Sequence, residues 1–203
     1  MTLKLAATLA LAATLGWTAP TLAAGSKEAG QAKAAVCAGC HGPDGNSLSP
    51  EWPNLASQNQ AYIVRQLKAF HAGERQNPLM SPMAAMLTEQ DMADVAAYFS
   101  SQTVRGGEAD PALVKLGQRV YRSGNIDGKV MACAGCHGPQ GHGNAPAGWP
   151  NIQGQHATYV AAQLRAYKAG TRTTDPNQIM RTMASMLSEE EIDAVASYVQ
   201  GLR

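Results

Sequence analysis

Cys37-Ala38-Gly39-Cys40-His41-Gly42-Pro43 and Cys133-Ala134-Gly135-Cys136-His137-Gly138-Pro139 are one seven-residue stretch, met twice at an offset of 96 positions. Two cysteines separated by two residues, with a histidine directly after, form the signal for covalent haem attachment. The chemistry demands this spacing. Two thiols must meet two vinyl groups on one side of a porphyrin, and the adjacent imidazole must reach the iron from one face. A tight turn of two small residues, here Ala and Gly, lets the backbone lie close to the ring. Cys37, Cys40, Cys133 and Cys136 are therefore the candidates for thioether attachment, and His41 and His137 for iron ligation, with one haem c group in each half.

Other uses of paired cysteines fit less well. Disulfides are the default for an exported chain with an even number of cysteines, but all four fall in the two motifs. A thioredoxin-like redox pair needs a strand before the motif, and none is indicated. A zinc site built from both pairs leaves the two histidines and the wider repeat without a role.

The repeat extends well beyond the motif. Trp52-Pro53-Asn54 recurs as Trp149-Pro150-Asn151. Tyr62, Gln66, Leu67 and Gly73 recur as Tyr159, Gln163, Leu164 and Gly170. Met80, Met83, Met86 and Leu87 recur as Met180, Met183, Met186 and Leu187. The offset drifts only from 96 to 100, with a longer lead-in, Arg122 to Met131, before the second motif. Such a period suits a duplicated domain rather than a solenoid. The units are read as 24–103 and 111–203, joined by a Gly-containing linker at 104–110.

Each half reads as three main helices, with no convincing strand. The first runs over Ser26 to Val36 and Pro111 to Tyr121; the second over Asn59 to Ala72 and Ala157 to Ala169. The third starts at Thr88 or Ser188, where an acid three residues on (Asp91, Glu191) makes a capping-box-like start. Met92, Val95, Ala96 and Phe99, matched by Ile192, Val195, Ala196 and Val199, then follow at helical spacing.

An iron gripped by His41 or His137 needs a sixth ligand. A thioether opposite a histidine is the arrangement of electron carriers and raises the potential. Three methionines per half align between the repeats, so spacing alone leaves all of them open. Met80 and Met180 lie deepest in the loop before the third helix, where an extended segment is expected to present the ligand, with Met83, Met86 and their counterparts as core filling. The rival ligands His71, His142 and His156 have no counterpart in the other half; a touch on a haem propionate is a minor alternative for His156. Pro53 and Pro150 carry carbonyls suited to the second ring nitrogen of the ligand histidine. Trp52, Trp149, Tyr62 and Tyr159 are candidates either for propionate contact or for plain packing.

Residues 1–23 read as a secretory signal: Lys4, an apolar run from Leu5 to Trp17, and a small-x-small site at Thr21-Leu22-Ala23 that leaves Ala24 as the mature start, with cleavage after Ala24 as the other option. The expected location is the periplasm. Loss of Lys4 leaves basic and acidic residues balanced at 15 each. Nucleic-acid binding, which wants a basic stripe, is not indicated. Aromatic residues make up only 5% of the chain, so a bulky cofactor is expected to complete two cores of about 90 residues each, close to the marginal size.

On these residues each half resembles a class I cytochrome c, and the whole is similar to the cytochrome c4 family. The likeness includes Asp44-Gly45-Asn46-Ser47, Gln155-His156-Ala157 and Ala97-Tyr98-Phe99-Ser100 and covers nearly the whole mature chain. The resemblance implies an all-α fold of two tandem domains with their haems facing each other across a pseudo-twofold interface. It selects Met80 and Met180 as the axial methionines. It also implies that the first and last helices cross through a glycine and an aromatic: Gly117 and Tyr121 against Tyr198, and, more weakly, Gly30 with Ala34 against Tyr98. The implied role is a non-enzymatic periplasmic electron carrier between a respiratory donor complex and a terminal oxidase, sometimes held loosely at the membrane.

Overall fold

The computed structural model describes residues 24–203; the expected leader lies outside the described residues. The first half contains α1 (Lys27–Lys33), α2 (Ala38–His41), α3 (Gln60–His71), α4 (Met80–Ala85) and α5 (Glu89–Ser100). The second contains α6 (Val114–Ser123), α7 (Ala134–His137), α8 (Ala157–Lys168), α9 (Ile179–Ser185) and α10 (Glu189–Gln200). In each half the first and last helices pack together, the long middle helix lies against the last, and the short helix between them lies against the middle one. Among the described residues there is no strand, only isolated bridges between Asn125 and Val130 and between Asn144 and Trp149. The first bridge closes the extra lead-in of the second half into a small turn. The fold is all-α, with two like units in tandem.

Local chemistry sets the helix ends. Ser26 caps α1 by accepting from the Ala29 N–H at 3.2 Å. Thr88 and Ser188 both complete capping boxes, with Asp91 and Glu191 returning the bond to the cap backbone. α6 begins three residues later than its expected start at Pro111, because Asp110 turns the chain first: its side chain accepts from the Ala112 N–H and its carbonyl from the Leu113 N–H. The short helices α2, α4, α7 and α9 have too few residues to show a hydrophobic period in the sequence.

The first and last helices approach so closely that only glycine fits. A β-carbon on Gly30 would lie 1.9 Å from the Asp94 carbonyl oxygen, and one on Gly117 2.2 Å from that of Ala194. Beside the second crossing the rings of Tyr121 and Tyr198 pack tilted at 48°, with centroids 5.5 Å apart. Ala34 takes the place of Tyr121 in the first half, and the tyrosine roles change accordingly. Tyr98, on the last helix, donates its hydroxyl to the Pro43 carbonyl at 2.7 Å. In the second half Tyr121, on the first helix, donates to the Gly138 carbonyl at 2.6 Å, and Tyr198 instead accepts from Arg122. The turn after the cysteine motif is anchored both times, from opposite helices.

The segment between α5 and α6 is bonded to both halves. Arg105 pairs with Asp44 and donates its N–H to Asn46, while Gln200 donates to the Glu108 carbonyl and Ser197 accepts from the Asp110 N–H.

Gly117→Ala should cost on the order of 1–3 kcal/mol through forced separation of α6 and α10, read as a lowered denaturant midpoint with an unchanged m-value. Asp91 is held at about 2 by the hydrogen bonds from Lys33 and Thr88. Its ionised form stabilises the fold above its ordinary value of 3.8, and that contribution is lost as pH falls towards 2. The stability gap between wild type and Asp91→Asn should therefore close over that window in acid denaturation.

Candidate functional site

Each cysteine motif folds as one helical turn. The His41 N–H donates to the Cys37 carbonyl at 2.9 Å, and His137 repeats this with Cys133 at 2.9 Å. The turn stops at Gly42 and Gly138, whose φ angles of 77° and 79° lie in the region open to glycine. Two thiols and an imidazole thus leave one short segment together. No disulfide joins the four cysteines. Burial, followed by the neighbouring Cys40, raises Cys37, and burial foremost pushes Cys133 up to about 11. A thiol–disulfide catalyst requires the opposite shift.

Both imidazoles are buried, 6% and 8% exposed. His41 Nδ1 donates to the Pro53 carbonyl at 2.9 Å and His137 Nδ1 to the Pro150 carbonyl at 3.0 Å. These are the acceptors expected from the sequence. Burial lowers both histidine pKa values, with the carbonyl bond opposing it. Each ring is therefore neutral at pH 7, with its tautomer fixed and the Nε2 lone pair available to a metal. That arrangement fits haem iron.

The methionine segments differ from the extended loop expected. Met80 opens α4, and Met180 lies in the first turn of α9. In the first half Asn77 Oδ1 accepts from the N–H groups of Leu79 and Met80, both at 2.9 Å, and so starts the helix. In the second half Asp175 accepts from the backbone and side chain of Arg181. Met80 and Met180 are half-buried, and Met180 and Met186 pack against the second core. Met86 is 66% exposed and fills no core.

The two halves meet through a reciprocal exchange of amides. The Asn54 N–H donates to Gln155 Oε1 at 2.8 Å, and Gln155 Nε2 returns a bond to the Asn54 carbonyl at 2.9 Å. The Asn151 N–H donates to Gln58 Oε1 at 2.9 Å, and Gln58 Nε2 returns one to the Asn151 carbonyl at 2.7 Å. The side chains of Asn54 and Asn151 add bonds to the Gly154 and Ser57 carbonyls. All four amide side chains are buried. Residue i bonding j while the counterpart of j bonds that of i is the mark of a twofold interface.

Beside the amides lies a cationic cluster. Arg172, 6% exposed, donates to Tyr62, Gln66 and Gln163. Arg75 donates to Tyr159, Gln163 and Gln66. Among the described residues neither guanidinium has a carboxylate partner, and Arg172 Nε is buried without an acceptor. Burial works against the Arg172 charge, but the phenols of Tyr62, Tyr159 and Tyr167 more than restore it. Tyr62 and Tyr159 are thus arginine acceptors across the interface. His156 Nε2 donates to the Ser47 carbonyl of the other half at 3.0 Å, and His71 Nδ1 to Ala84 at 3.1 Å. His142 is exposed.

The cytochrome c family model matches residues 27–103 and again 114–203. Cytochrome c4 of Azotobacter vinelandii is 47% identical over 97% of this chain and 98% of its own. The crystal structure of reduced recombinant cytochrome c4 from Pseudomonas stutzeri superposes with a TM-score of 0.86 at 47% identity, covering 89% of this chain and all of that one. The chain belongs to the cytochrome c4 family. The chain is thus a dihaem electron-transfer protein with two covalently bound haem c groups. A more distant relative, 37% identical over 81% of this chain and 78% of its own, is a thiosulfate dehydrogenase electron acceptor from Stutzerimonas stutzeri.

Sequence reasoning missed the roles of Gln58, Gln155, Arg75 and Arg172. The signal was present: Pro-Asn followed four residues later by Gln occurs in both halves, as does an arginine two residues after the repeated glycine. Arg172→Met should destabilise the protein by about 1–3 kcal/mol, because Tyr62 loses its arginine donor and Gln66 and Gln163 each keep only the one from Arg75. Arg75→Met should cost less, since Arg75 is only half-buried; paired denaturation curves of the holoproteins compare the two.

Proposed function

We propose that this chain is a periplasmic carrier of a respiratory chain, passing electrons towards a terminal oxidase. In this reading residues 1–23 are a cleaved leader, and 24–103 and 111–203 are the two haem units. Cys37 and Cys40 hold one haem by thioether bonds, and Cys133 and Cys136 hold the other. His41 with Met80, and His137 with Met180, would hold the two irons. The observation that carries the reading is the matched pair of buried, neutral histidines, each oriented by a proline carbonyl.

When bound, each haem takes up and returns one electron at its iron. The protein's residues keep that exchange simple. His41 and His137 are held in one tautomer, ready to donate from Nε2. Met80 and Met180 supply soft thioether donors that favour the ferrous state. Ligation by both a histidine and a methionine would leave no place for a reactant at the metal, which favours a carrier over an enzyme such as a peroxidase. Arg75 and Arg172, without carboxylate partners among the described residues, would supply the positive charge that haem propionates require.

Partners are redox proteins: a respiratory donor complex on one side and the oxidase on the other, with loose attachment to the membrane. No helix among the described residues is long and apolar enough to cross a bilayer. The thiosulfate dehydrogenase acceptor among the relatives supports a carrier role and points to a different donor as a second reading.

The oxidised protein should show two low-spin haems and the weak long-wavelength charge-transfer band of thioether ligation to ferric iron. The double variant Met80→Ala, Met180→Ala should lose that band. Its retention would reassign the ligands, and ready binding of carbon monoxide by the reduced wild-type protein at neutral pH would overturn the carrier reading.

A further inference from the structure

The acceptor of each buried histidine is one end of a peptide group whose other end is bonded by the opposite half. The Pro53–Asn54 peptide takes the His41 Nδ1–H at its carbonyl oxygen, at 2.9 Å, and offers its N–H to Gln155 Oε1, at 2.8 Å. The Pro150–Asn151 peptide takes the His137 Nδ1–H at 3.0 Å and offers its N–H to Gln58 Oε1 at 2.9 Å. Two unbroken chains result. One runs from His41 through a single peptide to Gln155, and the other from His137 through a single peptide to Gln58. We propose that Gln155 and Gln58 are positioning residues that set the reduction potential of the haem in the opposite domain.

The physical basis is polarisation along the chain. An acceptor at a peptide N–H shifts electron density towards the carbonyl oxygen of that peptide, and hydrogen bonds in series strengthen one another. A stronger carbonyl acceptor draws the Nδ1 proton outward and makes the imidazole a better donor to its metal. Extra donation stabilises the ferric state more than the ferrous and lowers the potential. Gln155 therefore holds down the potential of the haem on His41, and Gln58 that of the haem on His137. Burial keeps the effect from being replaced by water: Asn54, Gln58, Asn151 and Gln155 are all 8% exposed or less. Both glutamines are held by more than one bond. Each Oε1 also accepts the N–H of the next residue, Asn59 or His156, at 3.0 Å, and each Nε2 donates across the interface.

The relay makes the two haems sensitive to domain docking in a crossed sense. Each half carries the group that tunes the other, so the potential of a haem reports whether its partner domain is seated.

This inference rests on the proposed ligation by His41 and His137. The test uses the full-length holoprotein in an NMR-followed redox titration, with the Nδ1–H protons of His41 and His137 identifying the two haems. Gln155→Leu should raise the potential of the His41 haem, move the His41 ring proton, and leave the His137 haem where it was. Gln58→Leu should do the converse. Asn59→Ala removes a different bond across the interface, from Asn59 Nδ2 to the Trp149 carbonyl at 2.7 Å, and touches neither relay proton; both potentials should stay put. Equal shifts of both haems in either leucine variant, or the same shift in Asn59→Ala, would assign the effect to a loosened interface and overturn the proposal. Unmoved potentials in both leucine variants would also overturn it, with the axial reading intact. If the ring protons of oxidised wild type show no paramagnetic displacement, the ligation reading itself fails.

Discussion

A buried imidazole has two nitrogens to satisfy, and in this fold one of them is satisfied by a proline carbonyl. Much else follows from that bond. It requires the chain to leave the cysteine turn, travel about a dozen residues and return beside it, which sets the path of the loop through Trp52 or Trp149. It fixes which nitrogen carries the proton and so which one faces a metal. It also places a backbone N–H on the far side of the same peptide, at a surface where that group must find a partner or remain unsatisfied. The partner comes from the other half. The interface is thus a continuation of the metal site by hydrogen bonds.

The interface is also unusual in how it handles charge. Among the described residues no ion pair with a carboxylate spans the two halves; the bonds across it are made by amides, phenols, carbonyls, the His156 imidazole and the guanidinium groups of Arg65, Arg75 and Arg172. Guanidinium groups withdrawn from water without a carboxylate partner, Arg172 fully and Arg75 in part, are costly in a bare protein. They suit a protein whose cofactor brings carboxylates of its own, and the low aromatic content agrees with cores that a large planar group completes. The first half has the thinner core, centred on Ala34, Ile63, Val95, Ala96 and Phe99, and depends most on that completion.

Much of this was legible in the sequence because covalent chemistry and duplication leave exact spacings. The cysteine motifs, the two like halves, the long helices and the capping acids Asp91 and Glu191 all follow from local rules. The proline acceptors were legible because a ligand histidine needs one. What the sequence hid was of two kinds. The short helices at Met80 and Met180 depend on single side chains, Asn77 and Asp175, that look like ordinary loop residues. The bonds of Gln58, Gln155, Arg75 and Arg172 join positions about a hundred residues apart, and no local pattern reports which surfaces of two like domains will meet. The exchange of Tyr98 for Tyr121 was hidden likewise: Ala34 announced a weaker crossing, but not that the opposite helix would take over the anchoring bond.

The reciprocity of the amide bonds says something about how such a chain arises. A patch that bonds its own image needs no second design. One half standing alone, with its proline, asparagine and downstream glutamine, already carries both sides of the contact and would pair with an identical copy. Joining two such units end to end would preserve that contact and leave each half free to drift towards its own electrochemistry.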